Sequence, residues 1–247
     1  MDQTINRGLD GVYIDTSAIS FIDGGKGQLV YRGYDITELA DKASYEEVVY
    51  LLWNGSLPNA RQLAEFRAEI APHYAVPDTV YDLYRNLPHG HSPMHAIRTA
   101  ASMLGAYDDD PDGVDLPNVR RIGLKLLAQF QTITAAYERI RRGLEPIAPR
   151  PDLSLAGNFL YALTGEVPSE AATRVMDVAL VLHAEHGSNA STFVARATAS
   201  TLTDVYSAIT AAIGALKGPL HGGANTAVMQ ALEGIGDVAG GRPDLAG

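Results

Sequence analysis

The sequence predicts an all-α fold, a multi-helical body preceded by one short β-hairpin, and three observations carry that prediction. Hydrophobic periodicity changes once, near Thr37, from alternation to helical spacing, and does not return to alternation. Strands interleaved with helices are absent, which argues against a nucleotide-binding α/β sheet. A content of 46% hydrophobic and 19% charged residues over 247 positions suffices for a real core and fits neither a disordered nor a collagenous chain.

The hairpin comes first. Val12, Ile14, Ile19 and Phe21 roughly alternate with polar residues, Gly24-Gly25-Lys26-Gly27 supplies turn chemistry, and Gln28 to Tyr31 resumes β-prone sequence. Thr37 is then a plausible N-cap, and Leu39, Ala40, Val48, Leu51, Leu52 and Trp53 follow helical spacing. Further helices are expected over Ser44 to Asn54, Asn59 to Ala71, Asp78 to Asn86, Ser92 to Tyr107, Asn118 to Arg142, Leu153 to Thr164, Ser169 to His186, Ala190 to Ala199, Thr203 to Leu216 and Ala224 to Glu233. Several boundaries have the right chemistry: Pro93 at a first helical position after Ser92, Gly55 ahead of Pro58, and Gly234 after the last helix. Between Ala190 and Leu216 only Arg196 and Asp204 are charged, so these helices suit either a core or a subunit interface.

Charge and cysteine content exclude whole classes of function. With 19 basic against 29 acidic residues the net charge is −10, which disfavours counterion-release binding to nucleic acid and polybasic attachment to a membrane. Zero cysteines rules out disulfides, thiolate nucleophiles and thiolate metal sites. Nothing resembles a signal peptide or approaches the ~20 apolar residues of a membrane span, so a cytoplasmic protein is expected.

The histidines are the candidates for chemistry. His89, His91 and His95 surround a loop entering a helix and lack carboxylates at ligand spacing, so no metal is expected there. The run Asp108-Asp109-Asp110-Pro111-Asp112 lacks the offsets of a calcium loop and reads as a solvated turn. His183 and His186 are spaced to share one face at the end of an apolar helix, and Gly187 breaks that helix so that Asn189 can turn back toward them. A zinc reading lacks a third ligand and the His-Glu-x-x-His order; substrate binding and simple backbone hydrogen bonding both remain open. In Lys217-Gly218-Pro219-Leu220-His221-Gly222-Gly223, a histidine sits on a glycine-flanked loop just ahead of a helix. That N-terminus disfavours an imidazolium, so His221 could donate a hydrogen bond to a carbonyl whose charge grows during enolisation.

Tyr31-Arg32-Gly33-Tyr34-Asp35-Ile36, His183-Ala184-Glu185-His186 with Asn189-Ala190-Ser191-Thr192-Phe193, and Ile213 through Asn225 resemble successive signatures of the citrate synthase family, in the right order and at similar spacing. The resemblance covers essentially the whole chain and is nearest to the bacterial and archaeal branch, which includes 2-methylcitrate synthases. It implies a mostly helical homodimer whose two domains close over oxaloacetate and acetyl-CoA or another acyl-CoA, with no cofactor because the thioester is a substrate. By motif, His221 matches the histidine that polarises the thioester carbonyl, His186 one that binds oxaloacetate, and Asn189 and His183 nearby site residues. It further implies that His221 and His186 line one concave surface, and that the helix over Thr203 to Leu216 packs at the dimer interface.

The family's later segments, a Gly-Phe-Gly-His-Arg motif, an aspartate base and carboxylate-binding arginines, have no counterpart before Gly247. The resemblance therefore implies a hairpin segment over 1–36, the helical large domain over 37–234 and, over 235–247, a Gly-rich tail where the small domain would begin. The leading expectation is a condensing acyltransferase that is incomplete as this chain. A 2-methylcitrate synthase using propionyl-CoA, an inactive dimerisation module and one subunit of a split enzyme are the alternatives.

Overall fold

A computed structural model of the chain describes residues 15–88, 90, 92–150, 152–223, 226, 228 and 229. The architecture is mainly helical with one small sheet, in the order β1 (Ser20–Asp23), β2 (Gln28–Tyr31), β3 (Tyr34–Asp35), α1 (Ile36–Lys42), α2 (Tyr45–Asn54), α3 (Ala60–Ile70), a 3-10 turn (Ala71–His73), α4 (Asp78–Asn86), α5 (Pro93–Gly105), α6 (Leu116–Arg141), α7 (Leu155–Thr164), α8 (Glu170–Leu182), α9 (Ala190–Ala199) and α10 (Val205–Leu216). No helix among the described residues is long and apolar enough to cross a membrane. Most of the expected helix over Ala224 to Glu233, the tail beyond it, Val12 and Ile14 lie outside the described residues; 226, 228 and 229 are described and helical. Contacts divide the chain into two compact units, the first holding residues up to 66 with 174–187, the second 67–173 with 188 onward.

In the first unit, β1 and β2 pair antiparallel with Ser20 opposite Tyr31 and Asp23 opposite Gln28. Sequence reading missed β3, which pairs Tyr34 with Tyr31 across the two-residue turn Arg32-Gly33. Both turn residues have positive φ, +48° and +94°, which matches the right-handed twist of the strands and which glycine adopts without strain. The helix that follows is capped by Asp35, whose carboxylate accepts from the Thr37 N–H at 2.9 Å, so the cap is Asp35 and the expected Thr37 cap is displaced by two residues. Ser44 and Glu47 form a capping box that restarts the helix as α2, and Gly55 closes it in the left-handed region.

Tyr31, Leu39, Ala43, Val48, Leu51 and Val181 form the apolar core of this unit. Polar contacts set the position of α8 against it. Arg174 donates to the carbonyls of Ala43, at 2.8 Å, and Ala40, where α1 ends and leaves acceptors unfilled. Asp177, three residues on, accepts from the Tyr45 N–H at 2.9 Å, where α2 begins and donors are unfilled.

The second unit is organised on α6, whose Ile122, Leu126, Ile133, Ala136 and Tyr137 pack with Val80 and Tyr84 of α4, Ala96, Ala100 and Leu104 of α5, and Tyr206 of α10. Asp115 caps α6 and Pro117 occupies its first turn. The acidic run before it departs from expectation. Asp109, Asp110 and Asp112 are exposed, but the Asp108 side chain is completely buried. It accepts from Arg121 at 2.6 Å, Lys125 at 2.6 Å and the Tyr206 hydroxyl at 2.7 Å. Burial alone would raise its pKa; the hydrogen bonds from Arg121, Lys125, Tyr206 and the Asp110 N–H outweigh it and hold the carboxyl far below the ordinary carboxylate range. Its partners lie 13, 17 and 98 residues away, so no local pattern marks Asp108.

The weakly charged pair α9 and α10 splits. Tyr206, Ala208 and Ile213 of α10 are buried, whereas α9 buries none of its residues.

Candidate active site

His183 and His186 belong to the first unit. The sequence expects a helix reaching His186, but α8 stops at Leu182, so the two histidines do not share a helical face. His183 stands just past the helix end with its ring Nδ1 2.7 Å from the Ala179 carbonyl, and the His183 and Ala184 N–H groups bond three residues back, to Leu180 and Val181, as a helix does when it tightens before unwinding. The break has a non-local cause. Tyr31 of the hairpin, with no exposed surface, brings its hydroxyl within 3.2 Å of the Val181 carbonyl and 2.8 Å of the Glu185 carbonyl, and accepts from the Glu185 N–H at 3.1 Å. In a continuous helix that N–H would bond directly to Val181; the phenol hydroxyl stands between them instead.

Beyond the break, the Glu185 carboxylate accepts from the Ser20 hydroxyl at 3.0 Å and from the Gly187 N–H, and Gly187 adopts φ +74°, a conformation L side chains rarely take. Glu185 is thus committed to shaping the turn, and His186 between these two residues is exposed.

Asn189 and His221 belong to the second unit. Asn189 caps α9: its side-chain carbonyl accepts from the Thr192 N–H at 3.0 Å and its backbone carbonyl from the Phe193 N–H at 2.8 Å. In the first turn of α9, Ser191 places its hydroxyl 2.8 Å from His221 Nε2. His221 is half-buried on the 217–223 loop, where the N–H groups of His221 and Gly223 both donate to the Gly218 carbonyl. The glycines make this winding possible: a Cβ on Gly222 would stand 2.5 Å from the Leu216 carbonyl oxygen, closer than any side chain can come. Leu220, immediately before the histidine, is fully exposed.

A hydroxyl against Nε2 defines the chemistry open to the imidazole. When Ser191 donates, the proton of the neutral ring sits on Nδ1, which becomes the hydrogen-bond donor toward a substrate. Ser191 lies in the quoted sequence signature, but nothing in its spacing from His221 distinguishes it; the packing of α9 and α10 brings the pair together. Among the described residues, no group of three or more His, Asp or Glu side chains is arranged to hold a metal ion. His89 and His91 lie outside the described residues, and His95 is in the first turn of α5, its carbonyl accepting from Thr99.

Comparison with known proteins converges on one family. Residues 8–245 match the family model described as citrate synthase, C-terminal domain. The citrate synthase of Deinococcus radiodurans is 49% identical over 234 residues, covering 95% of this chain and 62% of the relative. A 2-methylcitrate synthase of Mycobacterium tuberculosis is 46% identical over 238 residues, covering 96% of this chain and 60% of the relative. The solved ternary complex of citrate synthase from the archaeon Thermoplasma acidophilum with carboxymethyl coenzyme A and oxaloacetate superposes with a TM-score of 0.89 at 32% identity, covering 96% of this chain and 62% of that one. The chain therefore spans less than two thirds of the length of these relatives.

Proposed function

The chain belongs to the citrate synthase family, and from that premise we propose that it supplies the hydrogen-bond-donating histidines of a condensing acyltransferase that joins the acetyl group of acetyl-CoA to oxaloacetate. His221 donates from Nδ1 to the thioester carbonyl oxygen as the acetyl methyl loses its proton, so that the developing enolate charge meets a fixed donor. Ser191 sets the tautomer that makes this possible. His186 donates to oxaloacetate, polarising the keto group for attack by the enol carbon, and His183 and Asn189 are, by resemblance to the family, further candidates for binding the keto acid. The base that takes the methyl proton and the arginines that hold the carboxylates come, by resemblance to the family, from segments beyond this chain. The acyl-CoA is consumed as a substrate, so no cofactor is assigned, and the cytoplasm is the proposed location.

The observation that carries the reading is the 2.8 Å contact between the Ser191 hydroxyl and His221 Nε2, made on the loop the sequence marks as the family's carbonyl-polarising segment. The expected partner is a second copy of the chain, joined through α9 and α10, where Phe193 and Leu216 are exposed. Sedimentation at micromolar concentration should show a dimer, and a stable monomer would remove this part of the proposal.

Condensation leaves a citryl thioester whose hydrolysis by water frees the CoA thiol, so thiol release from acetyl-CoA in the presence of oxaloacetate tests the chemistry. The 247-residue chain should bind oxaloacetate weakly and turn over negligibly. The same chain extended with the family's remaining segments should be active, and His221→Ala in that longer protein should lose about 2–4 kcal/mol of transition-state stabilisation. Robust turnover by the shorter chain, or full activity of the His221→Ala protein, would overturn the assignment. A second reading, propionyl-CoA in place of acetyl-CoA, is supported by the 46% identical 2-methylcitrate synthase. One methylene in an apolar pocket changes binding by about 1–3 kcal/mol, so the ratio of the two rates distinguishes the substrates.

A further inference from the structure

The hairpin hydroxyls have no place in the mechanism just proposed, yet they converge on the segment that presents His186. Tyr31 is wholly buried, its ring belongs to the apolar core of the first unit, and its hydroxyl makes three backbone contacts, to Val181 and to both backbone polar groups of Glu185. Packing alone would be satisfied by phenylalanine. The hydroxyl is accounted for by the helix break, because without it the partly buried Glu185 N–H would either lack a partner or turn to the Val181 carbonyl, which already accepts from the Ala184 N–H, as one more turn of α8. In that continued helix His186 would be carried about one hundred degrees further round the axis per residue, away from where the turn now presents it. Ser20 acts on the same segment from β1, through the Glu185 carboxylate that also receives the Gly187 N–H.

We propose that Tyr31 is a positioning residue for His186: its hydroxyl, inserted between the Val181 carbonyl and the Glu185 N–H and assisted by Ser20 on the Glu185 carboxylate, holds open the end of α8 from which the imidazole meets the keto acid. The keto-acid half of this statement rests on the function proposed above; the held-open helix end does not. The sequence consequence is that Tyr31 and Glu185, 154 residues apart, form one functional unit of hairpin and turn.

Two measurements on the intact 247-residue chain separate those halves. In Tyr31→Phe, which keeps the ring and removes only the hydroxyl, amide hydrogen exchange at Glu185, His186 and Gly187 should change by about tenfold or more, while the α6 amides keep wild-type protection. Titration with oxaloacetate, followed by the His186 imidazole NMR resonances, should show affinity weakened about tenfold in Tyr31→Phe, with the His221 resonances unaffected in the free protein. Ser20→Ala, at a partly exposed strand position, should show the same changes at smaller amplitude, and it carries the test if Tyr31→Phe does not fold. Unchanged exchange over 185–187 overturns the positioning role. Unchanged oxaloacetate affinity in a variant whose exchange has changed overturns the link to substrate. A wild-type His186 that ignores oxaloacetate overturns the keto-acid reading, and with it the substrate half of this inference, while the exchange result still decides whether Tyr31 holds the helix end open.

Discussion

The two histidine-bearing segments are held by different kinds of force. The turn carrying His186 is fixed mainly by the Tyr31 hydroxyl on backbone groups, with the Glu185 carboxylate accepting from the Ser20 hydroxyl and the Gly187 N–H. The loop carrying His221 continues from α10, and α10 is tied to its unit through Tyr206 and a buried carboxylate, Asp108, that is shared with Arg121 and Lys125. The Tyr31 hydroxyl holds backbone groups that carry no charge, whereas the anchor of α10 is ionic and weakens once the Asp108 carboxylate is protonated. Protonating Asp108 should therefore loosen α10 and the loop that follows it while the Tyr31 contacts persist.

The sharpest way to break this contrast is Asp108→Asn. It leaves Arg121 and Lys125 beside a neutral amide and should destabilise the chain at pH 7 by about 3 kcal/mol or more, measured by urea unfolding. Because the folded carboxyl has a lowered pKa, its contribution is fully present above the ordinary aspartate value of about 4 and fades as pH falls below that. The wild type should accordingly lose stability between about pH 4 and pH 2, and Asp108→Asn should show a shallower loss over the same interval. Equal acid dependence in the two proteins would place the titrating group elsewhere.

Smaller effects sharpen the comparison at the segments themselves. Gly222→Ala forces a methyl group against the Leu216 carbonyl and should cost about 1–3 kcal/mol, with the His221 NMR resonances displaced and those of His186 unchanged. Gly187→Ala places a side chain at φ +74° and should cost about 1–2 kcal/mol, with the reverse pattern of displaced resonances. If each substitution disturbed both histidines equally, the two segments would not be independently anchored.

What was legible in the sequence follows the range of the forces involved. The Ser44 start of α2, the Pro93 start of α5, the Gly55 stop and the α9 limits are written in residues within a turn of one another, and the periodicity that predicts an all-α fold is local in the same sense. The histidines were singled out because their loops carry glycines with a backbone task. The end of α8 is not marked locally, because its cause, Tyr31, lies 150 residues upstream of Val181. The sequence around Asp108 predicts a solvated turn because its neighbours are solvated; what buries it arrives from α6 and α10. Ser191 was visible only as a member of a motif, since its relation to His221 exists only once two helices pack.

Gly105 has no side chain because Tyr206 occupies the space: a Cβ there would stand 3.0 Å from both Cβ and Cγ of the tyrosine. That notch lets the ring lie against α5 and extend its hydroxyl to Asp108. The three positions are therefore constrained as a set along any mutational path. A side chain gained at 105 pushes the ring at 206 by a few tenths of an ångström and strains its hydrogen bond to the carboxylate at 108, so a change at any one alters what the other two tolerate. Epistasis of this kind would keep Gly105, Asp108 and Tyr206 together in descendants of this chain even though none of the three is assigned to the chemistry.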